Sequence, residues 1–480
     1  MKSIGHLAIF AAALLLAGST AAIAQTQAMT PHTSANTTSK DWRENYAYAV
    51  GLQAVIYGYP AVKALNMRYG MVERPVGIIN TPNNQLFHNR RAADASDTNN
   101  SSSATDFLYT VGWYDVRREP VVVSVPDSGD RYYSVQFMEF YSDIFAYIGT
   151  RATGGKAGSY MLAGVDWKGE TPAGITGVIR APTPTGAVLI RVGFRDDRSK
   201  LSPVHKMQDA SDLRPLSKWL SRDMSPATDR NVVDPAAQGS HLAFYVSLNR
   251  AMTENPPPAK DRALTSLLRS VGLGPGQGKD LSKLDPGTRR GLERALKDGM
   301  ALLSQVAIAG GDVKMVNHWA YNPSSWGRTG ECDDFPIRGA TQSFSGFLEH
   351  HIEEVVKLRA HHDGNGANLD GSSGRYTLHF APDQIPEAKA FWSVTVYNAE
   401  YNLFANPLGR HSYGSVDKDL RYDRDGGVTF YLQADAPVGQ AKVNWLPVPK
   451  APFNLFLRAY LPGESLIRQT YLPPAINKVP

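Results

Sequence analysis

Residues 132–137 have the sequence YYSVQF, and residues 391–396 have the sequence FWSVTV. Both stretches are short and rich in aromatic or β-branched residues, which is typical of a β-strand. Further matches follow in the same order: Tyr141 and Phe145 with Tyr401 and Phe404, Gly149-Thr150-Arg151 with Leu408-Gly409-Arg410, and Pro182 and Arg191 with Pro449 and Arg458. Such an ordered set of matches predicts a duplicated β-sandwich, with Tyr133 superposed on Trp392 and Arg151 on Arg410.

Strand patterns extend outward from both copies. Between residues 105 and 195, and again between residues 375 and 472, short runs of β-branched or aromatic residues are separated by Gly, Pro and Asp. The sequence therefore predicts a fold that is mainly β with α, in which two jelly-roll-like β-sandwich regions are joined by a helical connector. We expect an N-terminal helix plus the first sandwich at 41–230, the helical connector at 231–362 and the second sandwich at 363–480.

Helix signals lie before and between the strand blocks. Asp41 is a suitable N-cap for a helix to about residue 64, which Gly58-Tyr59-Pro60 is expected to interrupt. In the connector, helices are predicted at 239–254, at 259–270 and from Asp285-Pro286 to Ala309. A further helix is predicted at 341–360.

The composition excludes some classes of protein. A chain of 480 residues with 42% hydrophobic and 20% charged residues is folded rather than disordered, and two domains are natural at this length. The net charge of +5 includes no long basic block, so no nucleic-acid partner is expected. The 22 tyrosines suit a ligand cleft that is partly exposed to water, because tyrosine combines an apolar ring with a polar hydroxyl group. Ordinary packing of β-strands explains them as well.

The N-terminus carries a targeting pattern. Lys2, the apolar stretch from Leu7 to Leu16 and the small residues Ala22-Ile23-Ala24 predict a signal peptide over 1–24. A disordered leader is expected over 25–40, and the mature protein is expected to be periplasmic or secreted. No later segment reaches ~20 apolar residues, so no membrane span is predicted. Cys332 is the only cysteine, which excludes an intramolecular disulfide.

Familiar cofactor and metal motifs do not occur. The chain has no G-x-S-x-G, C-x-x-C or H-E-x-x-H, and no Gly-rich loop follows a strand and opens a helix, so no cofactor is predicted. His350 and His351 are the best metal candidates, because on a helix His350 and Glu354 would share one face. A solvated helix end explains these residues as well, and no metal site is predicted.

Arg191 and Arg458 each lie in the middle of an aliphatic strand. A buried arginine is costly unless it meets a carboxylate or several carbonyl groups. We expect each guanidinium to find such partners, either inside the protein or at an interface.

Several motifs resemble a known pair of families. The N-terminal matches are Tyr57-Gly58-Tyr59-Pro60, Gly112-Trp113-Tyr114-Asp115, Arg131-Tyr132-Tyr133, Tyr141 and Gly149-Thr150-Arg151. The C-terminal matches are Asp370-Gly371, Tyr376, Ala390-Phe391-Trp392-Ser393, Asn406-Pro407, Asn444-Trp445-Leu446-Pro447 and Arg458-Ala459-Tyr460-Leu461-Pro462. The first set resembles domain-of-unknown-function family 1254, and the second resembles its usual companion, family 1214. The resemblance implies a secreted bacterial protein with two β-sandwich regions joined by helices, and little agreed chemistry.

Polar residues beside aromatic ones define a candidate site in a cleft between the first strand block and the connector. The expected catalytic residues are Asp115, Glu139 and His318, and the expected substrate-binding residues are Tyr114, Tyr141, Arg151, Trp319 and Arg338. In one cleft, burial would raise the pKa of one acid and leave the other ionised, as general acid/base catalysis requires. The same residues can also be explained without a ligand site, if the acids face solvent and the aromatic residues pack at a domain interface.

Three functions therefore remain open. The first is a hydrolase or lyase that needs no cofactor and acts on a small ester, lactone or sugar-like substrate in an aromatic cleft. The second is a non-catalytic extracytoplasmic protein that binds a small-molecule ligand. The third is an oligomeric surface protein, since an aromatic patch can also form a homo-oligomer interface. Two titratable groups with shifted pKa values in one pocket would favour the enzyme, whereas aromatics and arginine alone would favour the binding protein.

Overall fold

The structure is a computed structural model that describes residues 39–75, 79–98, 102–194, 198–237, 242–278, 280–310 and 313–479. The predicted signal peptide and nearly all of the predicted leader lie outside the described residues. Within the described residues, no helix is both long and apolar enough to cross a bilayer.

The first sandwich contains nine strands within the described residues. They are β1 (Leu86–His88), β2 (Phe107–Asp115), β3 (Val121–Val125), β4 (Tyr133–Met138), β5 (Ile144–Gly149), β6 (Gly158–Gly164), β7 (Gly177–Ala181), β8 (Thr185–Gly193) and β9 (Asp212–Pro215). One sheet has the order β1-β2-β8-β4-β5 and the other has the order β7-β6-β3-β9. Their inner faces share one core, in which Val123 and Leu162 meet Val135 and Ile190.

The second sandwich repeats this arrangement. Its strands are β10 (Met315–Val316), β11 (Trp319–Tyr321), β12 (Val355–Ala360), β13 (Arg375–Phe380), β14 (Ala388–Asn398), β15 (Ser412–Gly414), β16 (Val428–Gln433), β17 (Trp445–Pro447), β18 (Phe453–Pro462) and β19 (Ile476–Val479). The sheet orders are β10-β11-β12-β18-β14-β15 and β17-β16-β13-β19. Three of its strands, β10 to β12, lie within the range 231–362 that the sequence assigns to the connector.

The two sandwiches have the same strand order, which confirms the predicted duplication. Apart from β10, each strand of the second matches the corresponding strand of the first, including the parallel pairs β6–β7 and β16–β17. The registers also agree, since Ser134 pairs with Arg191 across β4 and β8, and Ser393 pairs with Arg458 across β14 and β18.

One predicted match is wrong. Ser134 pairs with Gly149 on β5, and Ser393 pairs with Gly414 on β15, so Gly414 rather than Gly409 is the equivalent of Gly149. Both glycines are required for the same reason, because a Cβ at either position would collide with a carbonyl oxygen of the neighbouring strand. Arg410 lies before β15 and is not the equivalent of Arg151.

The helices are α1 (Trp42–Val72), α2 (Ser202–Asp209), α3 (Leu216–Ser221), α4 (Ala243–Glu254), α5 (Arg262–Arg269), α6 (Pro286–Ala309), α7 (Phe335–Gly339) and α8 (Glu464–Ile467). Asp41 and Asp285 cap α1 and α6 as predicted, each accepting a backbone N–H at 3.0 Å. Helices α1, α4, α5 and α6 form one core that also includes Trp113 and Met138 of the first sandwich.

Helix α1 continues through Pro60, so the predicted interruption is wrong. Proline removes the N–H that would bond to the Ile56 carbonyl group. Gly339 of α7 lies against that carbonyl group, where a Cβ would come within 2.9 Å of its oxygen. Arg338 Nη2 donates a hydrogen bond to the next carbonyl, that of Tyr57, at 3.3 Å. Tertiary packing therefore accommodates the proline in the middle of the helix.

The helix predicted at 341–360 is also wrong. A short π-helix covers Ala340–Phe344, an irregular segment follows, and Val355–Ala360 forms β12. Strand β12 lies between β11 and β18, and its residues are buried at alternate positions. Over so short a run, the spacing of apolar residues in the sequence does not distinguish such a strand from a helix.

The two sandwiches meet along the outer faces of their larger sheets. Aromatic side chains fill this interface: the rings of Phe391 and Tyr460 stack at 4.3 Å between centroids, and Phe107 and Tyr132 contact Tyr460 edge-on at 5.6 and 5.5 Å. Because equivalent strands approach each other from opposite sides, the interface resembles that of a two-fold symmetric dimer within one chain.

Candidate functional site

Arg191 and Arg458 occupy equivalent positions at the interface between the sandwiches. Arg191 Nη1 donates to Gln136 Oε1 at 2.5 Å, and Arg458 Nη1 donates to Thr395 Oγ1 at 3.0 Å. Gln136 and Thr395 are themselves equivalent, since each lies two residues after the paired serine of its strand. The two arginines therefore make the same contact within their own sandwiches.

Each arginine also reaches across to the other half of the chain. Arg191 Nη2 donates to the carbonyl of Leu348 at 3.1 Å, in the segment that leads into β12. Arg458 Nη2 donates to the carbonyl of Ser102 at 2.8 Å, in the segment that leads into β2. These partners are neutral. The sequence predicts either a carboxylate or several carbonyl groups for each arginine, and the partners observed here are carbonyl groups.

The acids beside these arginines have other partners. Asp106, just before β2, pairs with Arg198 at 3.1 Å and accepts from Ser393 Oγ at 3.0 Å. Glu354, at the equivalent position before β12, pairs with Arg151 at 2.5 Å and accepts from Tyr132 Oη at 2.8 Å. Among the described residues, neither Arg191 nor Arg458 forms a salt bridge with a carboxylate.

Two lysines extend this positive region. Lys357 lies opposite Arg458 across β12 and β18 and forms an ion pair with Glu349. Lys63 of α1 donates to the carbonyl groups of Ser343 and Gly346. We call Lys63, Arg191, Glu349, Lys357 and Arg458 the cationic cluster.

The electrostatics of the cationic cluster follow from burial and from repulsion between its members. Burial lowers the pKa of Lys63 to about 8, although the Glu349 carboxylate opposes this shift. Burial also lowers the pKa of Lys357, Glu349 opposes the decrease, and the fields of Arg458 and Arg191 add to it. The cationic cluster thus contains four basic side chains and one carboxylate, which is an environment that favours an additional anion.

Tyr147 and two histidines border the cationic cluster. The ring of His350 stacks on Tyr147 at 5.8 Å between centroids, and burial, together with the nearby Arg191, lowers the pKa of His350 well below its usual range. His350 Nε2 and His351 Nε2 have no partner within the described part of the chain. Neither histidine is helical, and no group of three or more potential metal-ligating residues is placed to hold a metal ion among the described residues.

A second group of buried charges lies behind the π-helix, and we call it the acid cluster. It consists of Glu139, Asp143, Arg338, Tyr57 and Tyr141. The carboxylate of Glu139 accepts the backbone N–H groups of Tyr141 and Asp143, both at 2.8 Å. The structure thus brings together three of the predicted site residues: Glu139, Tyr141 and Arg338.

Both acids of the acid cluster are less acidic than usual. Burial raises the pKa of Glu139, and the Asp143 carboxylate raises it further, while Arg338 acts in the opposite direction. Burial likewise raises the pKa of Asp143 against the effect of Arg338. The guanidinium of Arg338 lies 4.8 Å from the ring centroids of Tyr57 and of Phe335, and its Nε has no partner among the described residues.

The π-helix Ala340–Phe344 connects the two clusters. On one side, Gln342 Nε2 donates to Asp143 Oδ1 at 3.2 Å. On the other side, the carbonyl of Ser343 accepts from Lys63. Single π-helical turns are frequent at functional sites, and here one such turn positions residues of both clusters.

The other predicted site residues lie elsewhere. Asp115 is buried in an ion network, 3.0 Å from Arg68, and Arg68 and Arg117 also pair with Glu254 at 3.0 and 2.8 Å. Burial raises the pKa of Asp115, but its bonds to Arg117 and Arg68 outweigh burial and lower it overall. The neighbouring Tyr114 points to the opposite face, into the core of the first sandwich. Asp115 therefore ties α1, α4 and β2 together.

His318 and Trp319 belong to the second sandwich. Half-buried His318 lies in the turn between β10 and β11, and its ring centroid is 6.3 Å from that of His362. Trp319 is fully buried, and its Nε1 donates to the carbonyl of Pro474 at 2.8 Å. Arg151 lies at the interface between the sandwiches, where it binds Glu354 and stacks on Tyr147 at 4.9 Å.

Sequence reasoning missed Lys63, Asp143 and Lys357 as site residues. Lys63 lies between Tyr59 and Met67 on one helical face of α1, a spacing that places a lysine among half-buried apolar residues. Lys357 lies between buried residues of β12. Its role in the site depends on its pairing with Arg458 of β18, which the sequence alone did not predict.

Two family models match the chain. A family model described as protein of unknown function DUF1254 matches residues 83–215, and one described as protein of unknown function DUF1214 matches residues 354–464. The two matches have the N- and C-terminal order that the sequence predicts. No curated protein matches the chain.

Two crystal structures are similar to the chain. One is the VPA0106 protein from Vibrio parahaemolyticus, a structural-genomics target with 25% identity and a TM-score of 0.70, where the match covers 90% of this chain and 100% of the other. The other is an uncharacterised protein from Burkholderia cenocepacia with 14% identity and a TM-score of 0.45, where the match covers 91% of this chain and 94% of the other.

Proposed function

We propose that the protein is exported and binds a small organic anion at the cationic cluster between its two sandwiches. The observation that carries this proposal is the pair Arg191 and Arg458, two buried guanidinium groups whose partners are neutral. Burying a charge without a counter-ion is costly, so an anionic ligand would find a compensating partner already in place.

The chemistry of the cluster favours a carboxylate. A guanidinium presents parallel N–H groups that match the two oxygens of a carboxylate. Tyr109 lies opposite Arg191 on β2 and is not fully buried, so that an apolar part of the ligand can pack against its ring. Interfaces between domains are a common location for such sites.

Titration calorimetry of the mature chain tests this proposal, with aliphatic and aromatic carboxylates compared with their neutral methyl esters. We expect the acids to bind, the esters to bind at least about tenfold more weakly, and the affinity to fall with salt. Lys357→Met should weaken binding, whereas Lys156→Met, at an exposed position on the first sandwich, should not. Equal binding of acids and esters, or binding of neither, would contradict the proposal.

The acid cluster favours a second candidate function, a hydrolase or lyase that uses no cofactor and acts on a small ester, lactone or sugar-like substrate. Its support is the adjacent pair Glu139 and Asp143, both with raised pKa values, beside Arg338. A carboxyl that stays protonated near neutral pH can donate a proton, and its neighbour can accept one. A turnover screen against ester, lactone and glycoside libraries tests this: Glu139→Gln and Asp143→Asn should abolish an activity that His318→Ala leaves intact.

Export is supported by Lys2, the apolar stretch that follows it and the Ala22-Ile23-Ala24 sequence. N-terminal sequencing of protein from the periplasm or the medium should begin at Gln25. Recovery only of cytoplasmic protein that begins at Met1 would contradict this part of the proposal.

A further inference from the structure

Arg191 and Arg458 approach the interface from opposite walls. Arg191 is on β8, in the larger sheet of the first sandwich, and Arg458 is on β18, in the larger sheet of the second. Each guanidinium donates to a segment of the opposite half, at Leu348 and Ser102 respectively. A molecule between the walls therefore meets one guanidinium from each side.

Aromatic side chains line the interface beside the two arginines. The Arg191 guanidinium lies 5.8 Å from the ring centroid of Phe107, and Phe107 contacts Tyr460 at 5.6 Å. Tyr460 lies two residues after Arg458 on the same face of β18. Burial raises the pKa of the phenols of Tyr109 and Tyr460, and both arginines act against this increase. Both phenols therefore lie within the fields of both guanidinium groups.

The donors of the two arginines are only partly used. Within the described residues, Arg191 donates two hydrogen bonds and Arg458 donates two besides its bond with the Tyr397 hydroxyl, whereas a guanidinium has five N–H groups. Asp106, Glu349 and Glu354 are engaged by Arg198, Lys357 and Arg151. A single carboxylate would therefore neutralise only part of the positive charge that faces the interface.

We propose that the ligand carries two carboxylate groups separated by a short apolar spacer, with one carboxylate bound by Arg191 and the other by Arg458. This inference rests on the proposed binding function and names the class of its ligand. The apolar spacer lies against Phe107 and Tyr460, and the two ends of the ligand match the internal symmetry of the chain.

Titration calorimetry of the full mature chain with succinate, glutarate, adipate and suberate, each beside its monomethyl ester, tests the inference. We expect at least one diacid to bind about tenfold more tightly than its monoester. Lysine keeps the charge of arginine but lacks its planar fork. Arg191→Lys and Arg458→Lys should therefore each remove most of this preference, whereas Arg180→Lys, the same change at an exposed position on β7, should preserve it.

Thermal unfolding followed by circular dichroism shows which variants are folded, and if the lysine variants are not, the wild-type comparison of diacid with monoester decides alone. Equal binding of diacid and monoester would overturn the two-carboxylate inference while leaving the proposed function intact. Binding of no carboxylate at all would overturn both.

Discussion

The two sandwiches share a strand order and an interface arginine, but the side chains around that arginine differ. In the first sandwich, Arg191 lies opposite Tyr109 and donates to Gln136. In the second, Arg458 lies opposite Lys357 and donates to a hydroxyl group. The equivalent contacts hold the two halves together, whereas residues without an equivalent, such as Lys357, add further positive charge to the cationic cluster.

The largest expected effect tests the equivalent contacts. Arg191→Met and Arg458→Met should each lower the free energy of unfolding by about 3 kcal/mol, because each removes two hydrogen bonds that a charged donor makes at the interface. Urea unfolding monitored by circular dichroism measures both losses, with exposed Arg180→Met as a control that should change stability by less than about 0.5 kcal/mol. A large loss in one variant and none in the other would contradict a symmetric structural role.

A smaller effect tests a contact that only one half makes. Tyr132→Phe removes the hydrogen bond from Tyr132 Oη to Glu354 and creates the side chain that the second half already has at Phe391. Because the acceptor is charged, we expect a loss of about 2 kcal/mol in the same unfolding experiment. Exposed Tyr422→Phe is the matched control, and equal stability of the two variants would show that this asymmetric contact contributes nothing.

The acid cluster, which has no counterpart in the second sandwich, predicts a pH dependence. Since the folded-state pKa of Glu139 is raised, the native state binds more protons than the unfolded state above the usual value of 4.5. The stability contribution of this group therefore falls as the pH rises from there, by at most about 1.4 kcal/mol per pH unit.

Glu139→Gln should flatten that decrease, and Glu170→Gln, at an exposed position away from the acid cluster, should not. Urea unfolding at several pH values between the usual and the raised pKa measures the slope. An unchanged slope in Glu139→Gln would mean that this carboxyl titrates normally.

The smallest effect concerns the layer formed by α1, α4, α5 and α6, which packs against the first sandwich. Asp285→Ala removes the side-chain cap of α6 and should cost about 1 kcal/mol. Lys297→Ala, at an exposed position within the same helix, should cost less, because Lys297 does not cap the helix. The difference between these two variants in thermal unfolding measures how strongly the cap of α6 contributes to stability.

Much of the fold could be predicted from the sequence because local patterns decided it. Alternation and turn residues identified the strands around Tyr133 and Trp392, and Asp285-Pro286 together with Gly310 bounded α6. The errors at Pro60 and at 341–360 arose where tertiary packing overrode local preference. Gly339 and Arg338 accommodate the proline of α1, and pairing with β18 makes 355–360 a strand.

The candidate site was less predictable, because charges from distant parts of the chain form it. Glu139, Tyr141 and Arg338 were selected as polar residues beside aromatics and do meet in the acid cluster. Lys63 and Lys357 gave no such signal, since neither has a chemical motif around it. Their importance comes from the other cations that the fold places near them.

Helix α1 has a consequence for the order in which the protein can fold. The ion pair between Glu44 and Arg290 links α1 to α6 across 246 residues of chain. At a synthesis rate of roughly 5–20 residues per second, α1 emerges about 12–50 s before its partner. During that interval its apolar surface, including Ala47 and Val55, has no native neighbour from α6. A nascent chain thus displays an amphiphilic segment that chaperones can bind, and a chain truncated before residue 286 is expected to aggregate.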